Sequence, residues 1–78
     1  MKFQPGDSVH YVPDHAKDDP TQWENGVVKS LAVEPDKYFV VYNCNGEWHN
    51  YKDYTAALTD LNNLRPGWDN RSRNNKQS

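Results

Sequence analysis

Trp48, Tyr51 and Tyr54 follow one another at intervals of three residues, with Glu47 and Asp53 beside them and the pair Asn45-Gly46 just ahead. Aromatic faces attract cations and stack on planar groups, and nearby carboxylates strengthen the preference for a cation. With Trp23, which stands alone as a large apolar residue in an otherwise polar segment, these residues form the candidate binding face. A small domain also spends its rings on its core. Each of these side chains therefore has two possible uses, packing and recognition, between which the sequence does not choose.

The remaining reactive side chains form weaker patterns. His10, Asp14, His15 and His49 are of types that bind zinc, but Pro13 breaks any regular spacing and nothing brings the four together. They are expected to be solvated, with no metal. Cys44 with His49 and either Asn43 or Asn50 supplies the parts of a thiol nucleophile. A lone cysteine on the inward face of a strand, however, is ordinarily a small buried hydrophobe. No catalytic residue and no cofactor are assigned, and the chain is expected not to be an enzyme.

The totals narrow the classes further. At 78 residues there is room for one domain, and a fold of this size buries only about 60% of the surface its unfolded chain exposes. Hydrophobic residues are 35% of the chain and aromatics 13%, so a core must be built from a few large rings with Val and Leu. The single cysteine excludes an intrachain disulfide and the usual structural zinc patterns, which fits a reducing compartment. Met1-Lys2-Phe3 runs directly into Gln4-Pro5-Gly6-Asp7, with neither the apolar core of a signal peptide nor a membrane-spanning run. A cytoplasmic protein without membrane contact is expected. The net charge of -2 is uneven, because Arg71, Arg73 and Lys76 against Asp69 leave residues 69–78 basic and the rest acidic. An acidic body argues against phosphate-backbone binding, which needs a basic face. The tail either solubilises the chain end or touches an acidic partner or RNA.

These residues must be placed by strands. Pro5-Gly6-Asp7 leads into a strand over 8–12, with Val9 and Tyr11 on one face, ended by Pro13. Residues 14–25 read as a long loop, Asn25-Gly26 as a turn, and 27–33 as a second strand. Glu34-Pro35-Asp36-Lys37 connects to a third strand over 38–44, with Tyr38, Val40, Tyr42 and Cys44 on one face and Phe39 and Val41 on the other. Both faces are apolar, so this strand is central to a closed barrel or carries a partner surface, for which Phe39 and Val41 are the interface candidates. Asn45-Gly46 reads as a second turn, Glu47-Trp48 as the start of a returning strand, 54–58 as a fourth strand, and 60–64 as one helical turn capped by Thr59 or Asp60. Residues 64–68 approach or form a last strand. The alternative is an α-helix over 55–64, which makes the fold α+β with a C-terminal helix.

The succession Gly6-Asp7-Ser8-Val9, a long first loop at 14–25, Gly26-Val27-Val28, an aromatic-rich strand from Tyr38 to Gly46, and Leu64-Arg65-Pro66 after a helical turn resembles the SH3-like small barrels, including Tudor and KOW-type modules. The resemblance implies an all-β SH3-like barrel of about five strands over residues 3–68, followed by a flexible, slightly basic tail at 69–78. It extends to fold more than to function, since such folds host many activities. Tudor-type readers of methylated lysine or arginine use an aromatic cage with an acidic neighbour, and Trp23, Tyr42, Trp48, Tyr51 and Tyr54 with Glu24, Glu47 and Asp53 are similar parts. The plasmid-borne trimethoprim-insensitive dihydrofolate reductase is also such a barrel. Its Val-Gln-Ile-Tyr pore segment has no match in Tyr51-Lys52-Asp53-Tyr54.

The expectation is therefore a noncatalytic binding module that captures a peptide or protein segment on an aromatic face, with a homodimer through Phe39 and Val41 as a further possibility. One alternative is a nucleic-acid-associated barrel of the KOW or Sm kind, whose binding would weaken strongly with salt. Another is a small oligomeric enzyme with its site on a symmetry axis, which a strictly monomeric protein would exclude.

Overall fold

Strand formation follows the β-branched and aromatic residues. In the computed structural model, which describes residues 3–74, β1 spans Ser8–Tyr11, β2 Glu24–Leu31, β3 Lys37–Val41, β4 Ala57–Asp60 and β5 Leu64–Pro66. They form one antiparallel sheet in the order β4-β3-β2-β1-β5. Everything else described is loop or short 3-10 turn: Asp14–Ala16, Pro20–Gln22, Trp48–Asp53 and Leu61–Asn63. The chain is all-β, and the α-helical alternative over 55–64 does not form. Instead Asp60 caps a single turn, its carboxylate accepting from the Asn62 N–H at 3.0 Å.

The sheet cannot be flat. Four strand spacings of about 4.8 Å would hold β4 and β5 about 19 Å apart, whereas the four residue steps from Asp60 to Leu64 reach at most about 14 Å. The sheet must curl until its edges approach, with a seam between β4 and β5 that no ladder closes among the described residues. Inside the curl lies the core of Phe3, Val9, Val28, Tyr38, Val40 and Leu64, with Tyr11, Tyr42 and Leu61 packed against it. Phe3 meets Tyr38 edge to face at 5.7 Å, and its N–H donates to the Tyr38 hydroxyl.

Several boundaries differ from the sequence expectation. Asn25-Gly26 is not a turn but the interior of β2, opposite His10 and Val9. The polar stretch 14–23 contains two 3-10 turns, the second capped by Asp19. Asn45 and Gly46 do form a tight turn, with φ of 54° and 80°. Beyond it the chain winds into the Trp48–Asp53 turn, packed on β2, instead of a returning strand, and the fourth strand starts at Ala57.

The C-terminal segment is the largest departure. Packing does not stop at Trp68, because Ser72 and Asn74 are buried and residues 69–74 are fastened to β2. The Asn25 carboxamide accepts from the Asp69 N–H at 2.9 Å and donates to the Asp69 carbonyl at 3.1 Å. The Asn74 carboxamide accepts from the Asn25 N–H at 2.6 Å and donates to the carbonyls of Asn25 and Tyr42 at 2.7 and 2.9 Å. Strand β3 has ended at this level, so Asn74 supplies β2 with the partners a further strand residue would have given. The expected flexible tail therefore does not begin at 69; its remaining part, residues 75–78, lies outside the described residues.

Candidate functional site

Two of the aromatic candidates are engaged by the body of the fold. The Trp23 indole N–H donates to the Ala16 carbonyl at 3.0 Å. Its ring stacks on His10 at 5.6 Å and lies 5.0 Å from the Arg71 guanidinium. Trp48 meets Trp68 at 5.0 Å, and the Trp68 N–H donates to the Gly26 carbonyl at 2.8 Å. Trp68, which in sequence marks only the end of the domain, thus anchors the turn carrying Trp48 to β2. Tyr51 turns its hydroxyl toward Gly6, where an added Cβ would stand 3.4 Å from it, and Lys52 lies 6.0 Å from its ring. Glu47 and Tyr54 are brought together, the Tyr54 hydroxyl donating to the Glu47 carboxylate at 3.2 Å, while Asp53 is exposed. Of the two interface candidates, Phe39 is exposed and faces the exposed Leu58 across β3 and β4. Val41 is fully buried and cannot belong to a surface, because its side of the sheet is covered where it pairs with Val27.

The other reactive groups are likewise accounted for. The His10 Nδ1 lies 2.8 Å from the Gly67 carbonyl, to which its N–H donates. Among the described residues no three His, Cys, Asp or Glu side chains converge. Cys44 is buried, and burial together with the nearby Glu47 carboxylate pushes its thiol up, away from the reactive thiolate. Arg71 holds Asp69 through two side-chain bonds of 3.0 and 2.8 Å, with the Arg71 N–H a third donor at 2.8 Å. Those bonds lower the Asp69 carboxyl from 3.8 to about 2. A group depressed in the folded state contributes stability above its unfolded value and loses it as pH falls through the folded one. The stability difference between the protein and Asp69→Asn should accordingly be largest at neutral pH and shrink between pH 4 and pH 2 in urea melts.

Two clefts among the described residues border β4. A cleft of about 410 Å³ is lined by Tyr11, Glu24, Tyr42, Asp60 and Asn63 with the length of β4. A second, of about 370 Å³, is lined by Val40, Tyr42, Asn43 and Tyr54 to Ala57. The two share Tyr42 and Ala57 and so adjoin as one groove along β4, from Tyr54 to Asp60, where β4 is the outer strand that no further described strand pairs. The Tyr42 hydroxyl shares a 2.8 Å hydrogen bond with Thr59, and its ring meets Tyr11 at 6.0 Å. Burial pushes this hydroxyl well above the usual tyrosine range, so it is neutral.

Compared with family models, curated protein sequences and solved structures, the chain matches none. The groove is therefore read from its own chemistry. Tyr54 of the candidate binding face lines it, as do Tyr42 and Glu24 of the cage-like set, whereas Tyr11 and Asp60 carry no binding role in the sequence reading. Their convergence depends on the curl of the sheet, which no local motif encodes. Among the described residues no helix is long and apolar enough to cross a membrane.

Proposed function

We propose that this chain is a noncatalytic, SH3-like binding module that captures an extended peptide or protein segment along the open edge of β4. The observation that carries the reading is the pair of adjoining clefts, sharing Tyr42 and Ala57, along that edge strand. An unpaired edge offers backbone N–H and C=O groups to an added strand, and flanking pockets read its alternate side chains. From Ala57 to Asp60 the strand edge extends about 10 Å, room for about four extended residues, and the chain from Tyr54 to Ala56 carries the groove beyond it. Leu58 and the rings of Tyr42, Tyr11 and Tyr54 supply apolar contact, and Glu24, Glu47 and Asp60 favour a cationic occupant.

The nucleic-acid alternative is less well supported. Of the basic residues that would touch phosphate, Arg71 and Arg73 are paired with Asp69 and Glu24, and Lys76 lies outside the described residues. The test is a selection of extended peptides by display on the intact protein, followed by affinity measurement on variants. Ala57→Lys, at an exposed position lining both clefts, is expected to weaken the selected peptides at least about tenfold, whereas Val33→Lys, on the fully exposed β2–β3 connection, leaves them unchanged. Selected peptides indifferent to Ala57→Lys would refute the groove.

A further inference from the structure

One carboxylate of the groove beside β4 is already paired with a cation from the chain itself. The Arg73 guanidinium lies 3.1 Å from the Glu24 carboxylate, and Glu24 lines the same cleft as Tyr11 and Tyr42. Resting on the peptide-capture reading, we propose that the captured segment carries an arginine that takes Glu24, and that Arg73 is a resident competitor displaced by it.

Three observations support this. A carboxylate beside tyrosine rings suits a guanidinium, whose planar fork pairs with carboxylates two bonds at a time and whose flat face stacks on aromatics; a lysine ammonium is attracted to both only as a point charge, with neither fork nor plane. The Arg73 side chain is also free to leave without undocking its segment. Its backbone N–H is held by the Trp23 carbonyl at 3.1 Å, and the next residue, Asn74, is fixed by its three carboxamide bonds. The ion pair itself is solvent-accessible, with 55% of the Arg73 side chain and 27% of the Glu24 side chain exposed, so giving it up costs little. Arg71 differs, being locked to Asp69 and set against Trp23. Finally, of the two carboxylates lining the first cleft, Asp60 is matched at 3.6 Å by Lys37, which lines the cleft with it, whereas the partner of Glu24, Arg73, comes from outside that lining.

The experiment uses two acetylated, amidated seven-residue peptides of alternating threonine and valine, one with a central arginine and one with the neutral isostere citrulline. Each is titrated by NMR into the full-length protein, Arg73→Ala, Arg73→Gln and Glu24→Gln. The arginine peptide is expected to bind Arg73→Ala and Arg73→Gln about threefold more tightly than the unaltered chain, and Glu24→Gln several-fold more weakly. The citrulline peptide should bind all four proteins alike and more weakly. Equal affinities for the two peptides, with shifts still in the groove, would overturn the arginine inference and leave peptide capture standing. Tightening by the Arg73 variants with both peptides would also overturn it, since Arg73 would then merely fill space. Absence of any groove shift with either peptide at millimolar concentration would count against both readings.

Discussion

Replacing Gly26 by alanine is expected to cost about 3 kcal/mol, at the upper end of what a single added methyl does in a packed interior. A Cβ at this position would stand 2.7 Å from the Val40 side chain, 2.8 Å from the Tyr42 ring and 2.8 Å from the Val41 carbonyl. The last contact is decisive, because a backbone oxygen in the β2–β3 ladder cannot rotate away as a side chain can. Relief requires the two strands to part where Val27 pairs with Val41. Tyr42 would move with them, so the variant should lose peptide affinity as well as stability. Thermal unfolding and binding of a display-selected peptide check the two effects together. A melting temperature within a degree or two of the parent would show that β2 and β3 do not approach so closely.

Asn74→Ala is expected to cost a similar amount, about 3 kcal/mol, although it lies in a segment whose composition reads as disposable. The carboxamide satisfies the N–H and carbonyl of Asn25 and the carbonyl of Tyr42. Removing it strands polar backbone in a region with Asn25 only 1% exposed, and each orphaned buried group costs on the order of 1–3 kcal/mol. For a domain of this size the melting temperature should fall by roughly 10 °C or more. Asn70→Ala, at an exposed position in the same segment, should change it little. Equal and small effects of the two would mean that residues 69–74 do not belong to the folded unit.

These two residues also show where local reading of the sequence reaches its limit. Asn25-Gly26 has the composition of a hairpin turn, and nothing nearby distinguishes a glycine needed for positive φ from one needed for close approach. Gly26 is of the second kind, its reason lying in Val40 and Tyr42 across the sheet. Asn74 carries no periodic signal at all, since its partners are 32 and 49 residues away. By contrast, alternation in Val9 and Tyr11 and in Tyr38 and Val40 is local, and those strands and their inward faces were legible. So was the Asp60-capped turn before β5, because capping is read within three residues. The aromatic spacing from Trp48 to Tyr54 was a weaker guide. That segment winds as a 3-10 turn and divides its rings: Trp48 packs on Trp68, and Tyr54 joins Tyr42 in the groove.

The central claim, capture of an extended segment along β4, is tested most directly by amide chemical-shift mapping of the labelled protein with a display-selected peptide. The account predicts that the largest shifts fall on residues 54–60, on Tyr42 and on Tyr11, with new hydrogen-exchange protection at alternate amides of β4. Shifts confined to Trp23, His10 and Arg71, with the amides of β4 unaffected at saturation, would contradict it.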